Sequence, residues 1–69
     1  MDLKVKYRGK EQVIRIDKKR VRAIDILKAL GLSSEYAFVI KNGELVQEDE
    51  LINPEDDIKV VNAISGGKI

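Results

Sequence analysis

Residues 39–46 read VIKNGELV, with Asn42-Gly43 between two short β-prone runs. A two-residue type I′ turn needs positive φ at both central residues, and Asn-Gly is the dipeptide that meets this need most readily. The stretch therefore predicts a β-hairpin. The cross-strand pairs expected from this turn are Ile40 with Leu45 and Val39 with Val46.

Alternate side chains of a strand face opposite sides of the sheet, so only one of the two sets in this hairpin can face the helix. We expect the bulkier set, Phe38, Ile40 and Leu45, to face the core. The outer face would then carry Val39, Lys41, Glu44 and Val46.

The region before this hairpin predicts another hairpin. Leu3, Val5 and Tyr7 alternate with basic residues, which is typical of a strand with one exposed face. A turn at residues 8–10 and a second strand at 12–17 follow, with Ile14 and Ile16 pointing inward.

A helix is predicted between the hairpins. Ala23, Ile26, Leu27 and Leu30 fall on one helical stripe, and Gly31 is a natural C-cap. Its start is weak, because Arg22 stands where Ser, Thr or Asp usually caps. After the second hairpin, a turn at 53–57 and a strand at 58–62 are expected, with Ile58 and Val60 inward.

The predicted order is ββαβ(β)β, in which one helix covers one face of a mixed sheet. This is the α+β class and the β-grasp (ubiquitin-like) arrangement, with four to five strands. We expect one β-grasp domain over residues 1–63 and a flexible tail over 64–69 that carries Gly66-Gly67.

Composition excludes several functions. The 69 residues contain no cysteine and no histidine, so disulfides, thiolate or imidazole metal sites and catalysis by these side chains are impossible. So short a chain also has little room for a water-excluding catalytic pocket. We expect no catalytic residue, no metal and no bound cofactor, and hence a protein that is not an enzyme by itself.

Residues 1–6 alternate apolar and charged side chains, unlike the apolar core of about 7–15 residues in a signal peptide. No stretch is long enough to span a bilayer. We therefore expect a cytoplasmic monomer that does not bind membranes.

Charge is uneven along the chain. Residues 1–41 hold eleven Lys and Arg against five Asp and Glu, whereas residues 42–69 hold two against seven. The basic residues Lys18, Lys19, Arg20 and Arg22 suggest RNA binding as one alternative. A solvated loop is the preferred interpretation, because no aromatic residues interleave with them as stacking platforms.

The two glycines at 66–67 form a motif of their own. Glycine lacks Cβ, so Gly-Gly after a last strand permits a thin ribbon that can enter a narrow channel. If the chain ended at Gly67, its carboxylate would be an unhindered nucleophile toward the α-phosphate of ATP. A disordered terminus is the alternative explanation, since Gly-Gly alone is a weak motif.

Three segments carry a resemblance to a known family: 22–32 (RAIDILKALGL), 39–46, and 54–67 (PEDDIKVVNAISGG). The last is the most specific, because an acidic turn, an apolar strand and Gly-Gly follow one another in it. Over essentially its full length the chain resembles the ThiS/MoaD family of ubiquitin-related sulfur carriers.

The resemblance implies that Gly67 is the covalent activation site, with Ser65 and Gly66 in the tail that leads to it. It implies an E1-like adenylating enzyme that uses ATP, a sulfur donor and an acceptor enzyme. In the family the sulfur goes to thiamin thiazole, molybdopterin or tRNA, and some relatives are conjugated to protein lysines. The ending ISGG favours the thiamin branch.

One feature departs from the family pattern. Lys68 and Ile69 follow Gly67, so the carboxyl group of Gly67 is held in a peptide bond. Either a peptidase removes Lys68-Ile69, or the chain is a ubiquitin-like non-covalent interaction module, or protein modifier, with an unprocessed tail.

The outer sheet face is a second candidate site. An apolar patch among charges is a typical docking surface, although scattered valines are also ordinary in exposed strands. The residues predicted for this partner-docking surface are Val39, Val46, Val61, Lys41 and Lys59.

Overall fold

The computed structural model describes residues 1–62. This part of the chain contains seven strands and one helix. In chain order they are β1 (Asp2–Tyr7), β2 (Lys10–Arg15), β3 (Val21–Arg22), α1 (Ala23–Ala29), β4 (Ala37–Lys41), β5 (Glu44–Val46), β6 (Leu51–Ile52) and β7 (Ile58–Asn62).

Five strands form one mixed sheet in the order β2-β1-β7-β4-β5. The central strand β7 is parallel to β1 and antiparallel to β4. Helix α1 packs on one face of this sheet through Ala23, Ile26 and Leu27, which are buried. The predicted α+β, β-grasp fold is confirmed, with five strands in the main sheet.

The first hairpin forms as predicted. β1 and β2 are antiparallel, and Tyr7 pairs with Lys10 across the turn. Strand β2 ends at Arg15, two residues before the predicted end. The next residue stays attached to the sheet, because the Ile16 N–H donates to the Met1 carbonyl at 2.9 Å.

The helix start is capped from inside the helix. Arg22 is the N-cap residue, and its side chain has no hydrogen-bond acceptor to offer. Instead the Asp25 carboxylate accepts the main-chain N–H of Arg22 at 2.9 Å. This hydrogen bond, helped by the ammonium group of Lys18, holds the pKa of Asp25 below its ordinary value. The carboxylate thus offsets the weak start that the sequence predicts.

The helix end agrees with the prediction. Leu30 is half-buried against the core and completes the predicted stripe. Gly31 adopts φ 75°, the left-handed conformation that terminates many helices. With seven residues, α1 is short, and no helix within residues 1–62 is long and apolar enough to cross a membrane.

The second hairpin has the predicted turn and register. Asn42 and Gly43 have φ angles of 52° and 85°, as the type I′ turn requires. The pairs Val39 with Val46 and Ile40 with Leu45 are both present.

The predicted facing of this hairpin is wrong. Val39 is 2% exposed, whereas Phe38 and Leu45 are 40% and 66% exposed. Val46 is half-buried against the core instead of lying on the outer face. The smaller side chains therefore face the helix, and the bulkier ones face outward.

The neighbouring strand β7 explains this facing. Ile58 and Val60 are buried and Lys59 between them is exposed, as predicted. Residues opposite each other in a ladder share a face. Val39 lies opposite Val60 and Ile40 opposite Lys59, so Val39 joins the core and Ile40 does not.

The turn at 53–57 is tied to the second hairpin. Asp56 accepts the main-chain N–H of Asn53 at 2.8 Å and a side-chain N–H of Asn42 at 3.1 Å. The other end of the Asn42 amide accepts the Asp57 N–H at 2.9 Å. The hydrogen bond from Asn53, supported by Asn42 and Lys41, keeps the pKa of Asp56 below its ordinary value.

A two-stranded ladder between β3 and β6 was not predicted. Val21 pairs with Ile52, and both side chains are buried. This ladder joins the residues just before the helix to residues 51–52 and adds two buried side chains to the core. The buried apolar residues of the described chain are Leu3, Val5, Val21, Ala23, Ile26, Leu27, Ala37, Val39, Ile52, Ile58 and Val60.

Candidate functional site

The predicted activation site lies outside the described residues. Ser65, Gly66 and Gly67 follow Asn62, which is the last residue that the structure describes. The predicted boundary between a domain at 1–63 and a tail at 64–69 also lies beyond it. The structure does place the strand end from which this segment continues, because Asn62 closes β7 opposite Ala37.

An apolar patch lies on the sheet face opposite the helix. Phe38 is opposite Val61, and Ile40 is opposite Leu45, so four apolar side chains from β7, β4 and β5 share this face. Phe38, Leu45 and Val61 are 40%, 66% and 38% exposed, and Ile40 is half-buried. We call these four residues the open-face patch. Contiguous exposed apolar surface of this kind marks binding sites more often than chance.

Positive charge borders the open-face patch on one side. Lys59 lies opposite Ile40 and beside Lys6 of β1, and both lysines are exposed. Neither forms a salt bridge with another residue of the described chain. A partner that fits this face would place an acidic group next to an apolar surface.

The five residues predicted for the docking surface do not share one face of the sheet. Val61 and Lys59 lie on the open face, as expected. Val39 and Val46 do not, because their register with β7 turns them toward the core. The apolar part of the surface is supplied by Phe38, Ile40 and Leu45 instead.

Lys41 is also placed differently from the prediction. Its ammonium group bonds to the Glu50 carboxylate at 3.0 Å and to the Leu51 carbonyl at 3.0 Å, and lies 3.8 Å from Asp56. The hydrogen bond to Glu50 raises the pKa of Lys41. Lys41 therefore joins the β4 end to the segment around β6, and its charge is already compensated within the chain.

The basic cluster near the helix is partly engaged in internal contacts. Lys18 bonds to both oxygens of Asp25, at 3.0 and 3.1 Å. Arg22 donates to the Asp49 carbonyl at 3.0 Å. Two of the four basic side chains therefore make contacts at the helix start and with its neighbouring loop.

A polar pair lies where β7 ends. The Asn62 side-chain N–H donates to the Tyr7 hydroxyl at 2.8 Å. Both side chains belong to the alternation that faces the helix side, and Tyr7 packs against the core. This pair fixes the strand end from which residues 63–69 continue.

Within residues 1–62, no cluster of three or more acidic side chains is arranged to hold a metal ion.

Comparison with known families agrees with the fold. Residues 1–64 match the family model of small archaeal modifier protein 2. The chain belongs to the small archaeal modifier protein 2 family. The match covers all seven strands and the helix of this family member and stops two residues before Gly66.

Two solved structures show the same fold. The crystal structure of the thiamine biosynthesis protein ThiS from Geobacter metallireducens is 20% identical, with a TM-score of 0.62, and the alignment covers 94% of this modifier-family chain and 100% of ThiS. An NMR solution structure of a thiamine biosynthesis protein from the same organism is 21% identical, with a TM-score of 0.63. This alignment covers 97% of the present chain and 91% of the thiamine biosynthesis protein. The family member thus has the ubiquitin-like fold of small modifiers and sulfur carriers, as the resemblance to ThiS/MoaD proteins implies.

The residues missed by sequence reasoning are Phe38, Ile40 and Leu45 on the open face. Strand β4 is apolar at four successive positions, 37–40, so it does not show by itself which side is wet. The usable signal lay in β7, where Lys59 between Ile58 and Val60 marks the outer face. Once β4 is paired with β7 in the correct register, Ile40 lies opposite Lys59, which places Ile40 on the outer face as well.

Proposed function

We propose that this chain is a small carrier protein that is activated at the carboxyl group of Gly67 by an E1-like adenylating enzyme. The observation that supports this function is the position of Gly66-Gly67, which begins four residues after β7 of a β-grasp fold ends. A pair of glycines there permits an extended ribbon with no side chains, which an enzyme can draw into a narrow active site.

The chemistry belongs to the partner enzyme. The Gly67 carboxylate attacks the α-phosphate of ATP, pyrophosphate leaves, and an acyl-adenylate forms. A sulfur donor then displaces AMP and leaves a thiocarboxylate on Gly67. The sulfur passes to an acceptor enzyme in the cytoplasm, for thiamin or molybdopterin synthesis or for tRNA thiolation.

Removal of Lys68-Ile69 is required before this activation. While the Gly67–Lys68 peptide bond is intact, the carboxyl group is an amide and cannot attack ATP. We propose that a peptidase cleaves this bond.

The open-face patch is the proposed docking surface for the E1-like enzyme. It offers apolar area from Phe38, Leu45 and Val61 close to the end of β7, with Lys59 at its border. Binding there leaves residues 63–67 to span the distance to the nucleotide. Five residues span at most about 17 Å when fully extended, which limits the distance from the end of β7 to the nucleotide in this proposal.

A protein modifier is the second candidate function, and the match to the small archaeal modifier protein 2 family favours it. A modifier shares the activation step but transfers the Gly67 carboxyl carbon to the ε-amino group of a lysine. The two functions therefore use the same site on this chain. They differ in the product, which is a thiocarboxylate for the carrier and a bond to a lysine for the modifier.

The test compares three purified chains in ATP–pyrophosphate exchange with the cognate E1-like enzyme. One ends at Gly67, one retains Lys68-Ile69, and one ends at Gly66 as a matched control with a free but shortened carboxyl end. We expect exchange only from the chain that ends at Gly67. No exchange from that chain would overturn the proposal.

Mass spectrometry of protein from its native cell separates the two functions. A free chain in which sulfur replaces one oxygen of the Gly67 carboxylate supports the carrier. A branched peptide joining Gly67 to a lysine supports the modifier. A population that retains Lys68-Ile69 alone contradicts both and favours a non-covalent interaction module.

A further inference from the structure

The two edge strands of the main sheet differ in how open they are to another strand. Strand β5 at one edge has three residues, whereas β2 at the other edge has six and contains neither proline nor glycine. Its register with β1 is continuous, and within residues 1–62 it pairs with β1 alone. Short strands, prolines and bulges are the usual devices that keep an edge from pairing with another chain, and β2 has none of them.

The hydrogen-bond pattern shows which main-chain groups of β2 are free. The Met1 ammonium group donates to the Ile16 carbonyl at 2.7 Å, and the Ile16 N–H donates to the Met1 carbonyl at 2.9 Å. Such hydrogen-bonded pairs alternate with non-hydrogen-bonded pairs along an antiparallel ladder. The residues of β2 that direct their main-chain groups toward β1 are therefore Lys10, Gln12 and Ile14. Those that direct them toward the open edge are Glu11, Val13 and Arg15.

The side chains of these open-edge residues are exposed, and their charges are arranged in a particular order. Glu11 and Arg15 lie on either side of Val13, which is 63% exposed. Arg15 lies 3.4 Å from Asp2, but both side chains are largely exposed, so water weakens this ion pair. Charged residues on an edge strand usually discourage pairing with other chains. The order acidic, apolar, basic is different, because it is complementary to its own reverse.

We infer that β2 is a pairing surface for a second copy of this chain, in an antiparallel arrangement centred on Val13. The Val13 residues of the two copies then lie opposite each other, and Glu11 of each copy lies opposite Arg15 of the other. Each of these pairs exchanges main-chain hydrogen bonds, because the free N–H and C=O groups of both copies point toward the shared edge. The same surface serves both copies, as it does in a two-fold symmetric dimer.

The charges also select this register over its neighbours. Moving the second copy by one hydrogen-bonded pair in one direction places Glu11 opposite Val13 and Arg15 opposite Gly9, which leaves no charge pair. The opposite move places Glu11 opposite Asp17. Like charges directly across a ladder are destabilising, and opposite charges are stabilising. The register centred on Val13 is therefore favoured over both.

This pairing does not cover the open-face patch. The patch lies on β7, β4 and β5, and β1 separates these strands from β2. Because cross-strand neighbours share a face, the dimer is one continuous sheet with both helices on one side and both patches on the other. Substitutions at the β2 edge should therefore affect self-association and not docking through the patch, so the inference does not depend on the proposed function.

The test is sedimentation velocity of the full chain over a range of concentrations, with the edge charges reversed. Glu11→Arg places like positive charges across the dimer, and Arg15→Glu places like negative charges there. We expect each variant alone to self-associate roughly tenfold or more weakly than the parent chain. An equimolar mixture of the two should restore the dimer, because each edge charge then faces its opposite. Glu44→Arg on β5 is the matched control and should leave self-association unchanged.

Amide hydrogen exchange measured by NMR tests the register. The Val13 N–H points toward the open edge, so its exchange should slow as the protein concentration rises. The Gln12 N–H is directed toward β1, so its protection should be the same at every concentration. Concentration-independent exchange at Val13 in a chain that forms dimers would contradict pairing through β2.

Three results would overturn the inference. The first is a chain that stays monomeric, as expected from the sequence, up to about 1 mM, where weak association is still measurable. The edge would then be free for an extended segment of a different partner. The second is a dimer that both reversed-charge variants retain, because the interface would then lie elsewhere. The third is a mixture of the two variants that does not associate although both keep the thermal midpoint of the parent.

Discussion

The two faces of the main sheet are built from the same strands but differ in exposure. Toward the helix, Val39 and Val60 are each 2% exposed and form part of the core. On the opposite face, their sequence neighbours Phe38 and Val61 are 40% and 38% exposed. Apolar character alone therefore does not separate a buried residue from an exposed one. The side of the sheet decides which of them is buried, and one substitution on each face can test the difference.

The largest expected effect is on stability, from the buried face. Ile58→Ala should lower the free energy of unfolding by about 2–5 kcal/mol, because it opens a cavity in a small core. Leu45→Ala, at a side chain 66% exposed, should cost less than about 1 kcal/mol. Urea denaturation measures both. Equal losses would show that the two faces do not differ as described.

The second prediction concerns binding through the exposed face. Phe38→Ala should weaken affinity for the E1-like enzyme at least about tenfold, or about 1.4 kcal/mol, while the thermal midpoint changes little. Val13→Ala is the matched control, since Val13 is 63% exposed on β2 at the far edge of the sheet. Isothermal titration calorimetry gives the affinities. A comparable loss from both substitutions would place the docking surface elsewhere.

The third prediction uses pH. The described core contains no buried charged side chain, so acid sensitivity should come from the loops. The pKa of Asp56 is lowered in the folded chain, mainly by the Asn53 N–H. The ionised Asp56 side chain therefore contributes its full stabilisation above the unfolded-state pKa. This stabilisation is lost as the pH falls below about 4 toward the folded-state pKa.

Asp56→Asn should reduce the free energy of unfolding at pH 7 by about 1 kcal/mol. It should also make the loss of stability smaller between about pH 5 and pH 2, roughly the range in which carboxylates titrate. Urea melts at several pH values measure this. An unchanged acid transition in the variant would assign the pH dependence to other carboxylates, of which Asp25 is the next candidate because its pKa is also lowered.

The smallest expected effect separates Lys41 from Lys59. Lys41→Met should change affinity for the E1-like enzyme less than about twofold, since its charge is already compensated by Glu50. Lys59→Met should reduce the association rate more, and the difference should shrink at high salt. Stopped-flow binding at two salt concentrations measures both. A larger effect on binding from Lys41→Met than from Lys59→Met would show that Lys41 belongs to the docking surface.

Much of the fold was predictable because its signals are local. Asn42-Gly43 specifies its own turn, and the helical stripe from Ala23 to Leu30 specifies its buried side. The period-2 alternation of β1 and β7 likewise identified Leu3, Val5, Ile58 and Val60 as core residues. In each case the signal lies within the segment itself, so no distant part of the chain is needed.

The remainder depends on which strands become neighbours. Residues 37–40 are all apolar, so their facing was set only by the antiparallel register of β4 with β7. The Asn42–Asp56 contact and the Tyr7–Asn62 pair join residues far apart in the sequence, and no local pattern predicts that they meet. By itself, the sequence determined the helix, the five strands of the main sheet, the turns and the Gly66-Gly67 motif. Only the tertiary structure decided which apolar side chains are exposed, because the burial of a strand residue is imposed by its cross-strand partner.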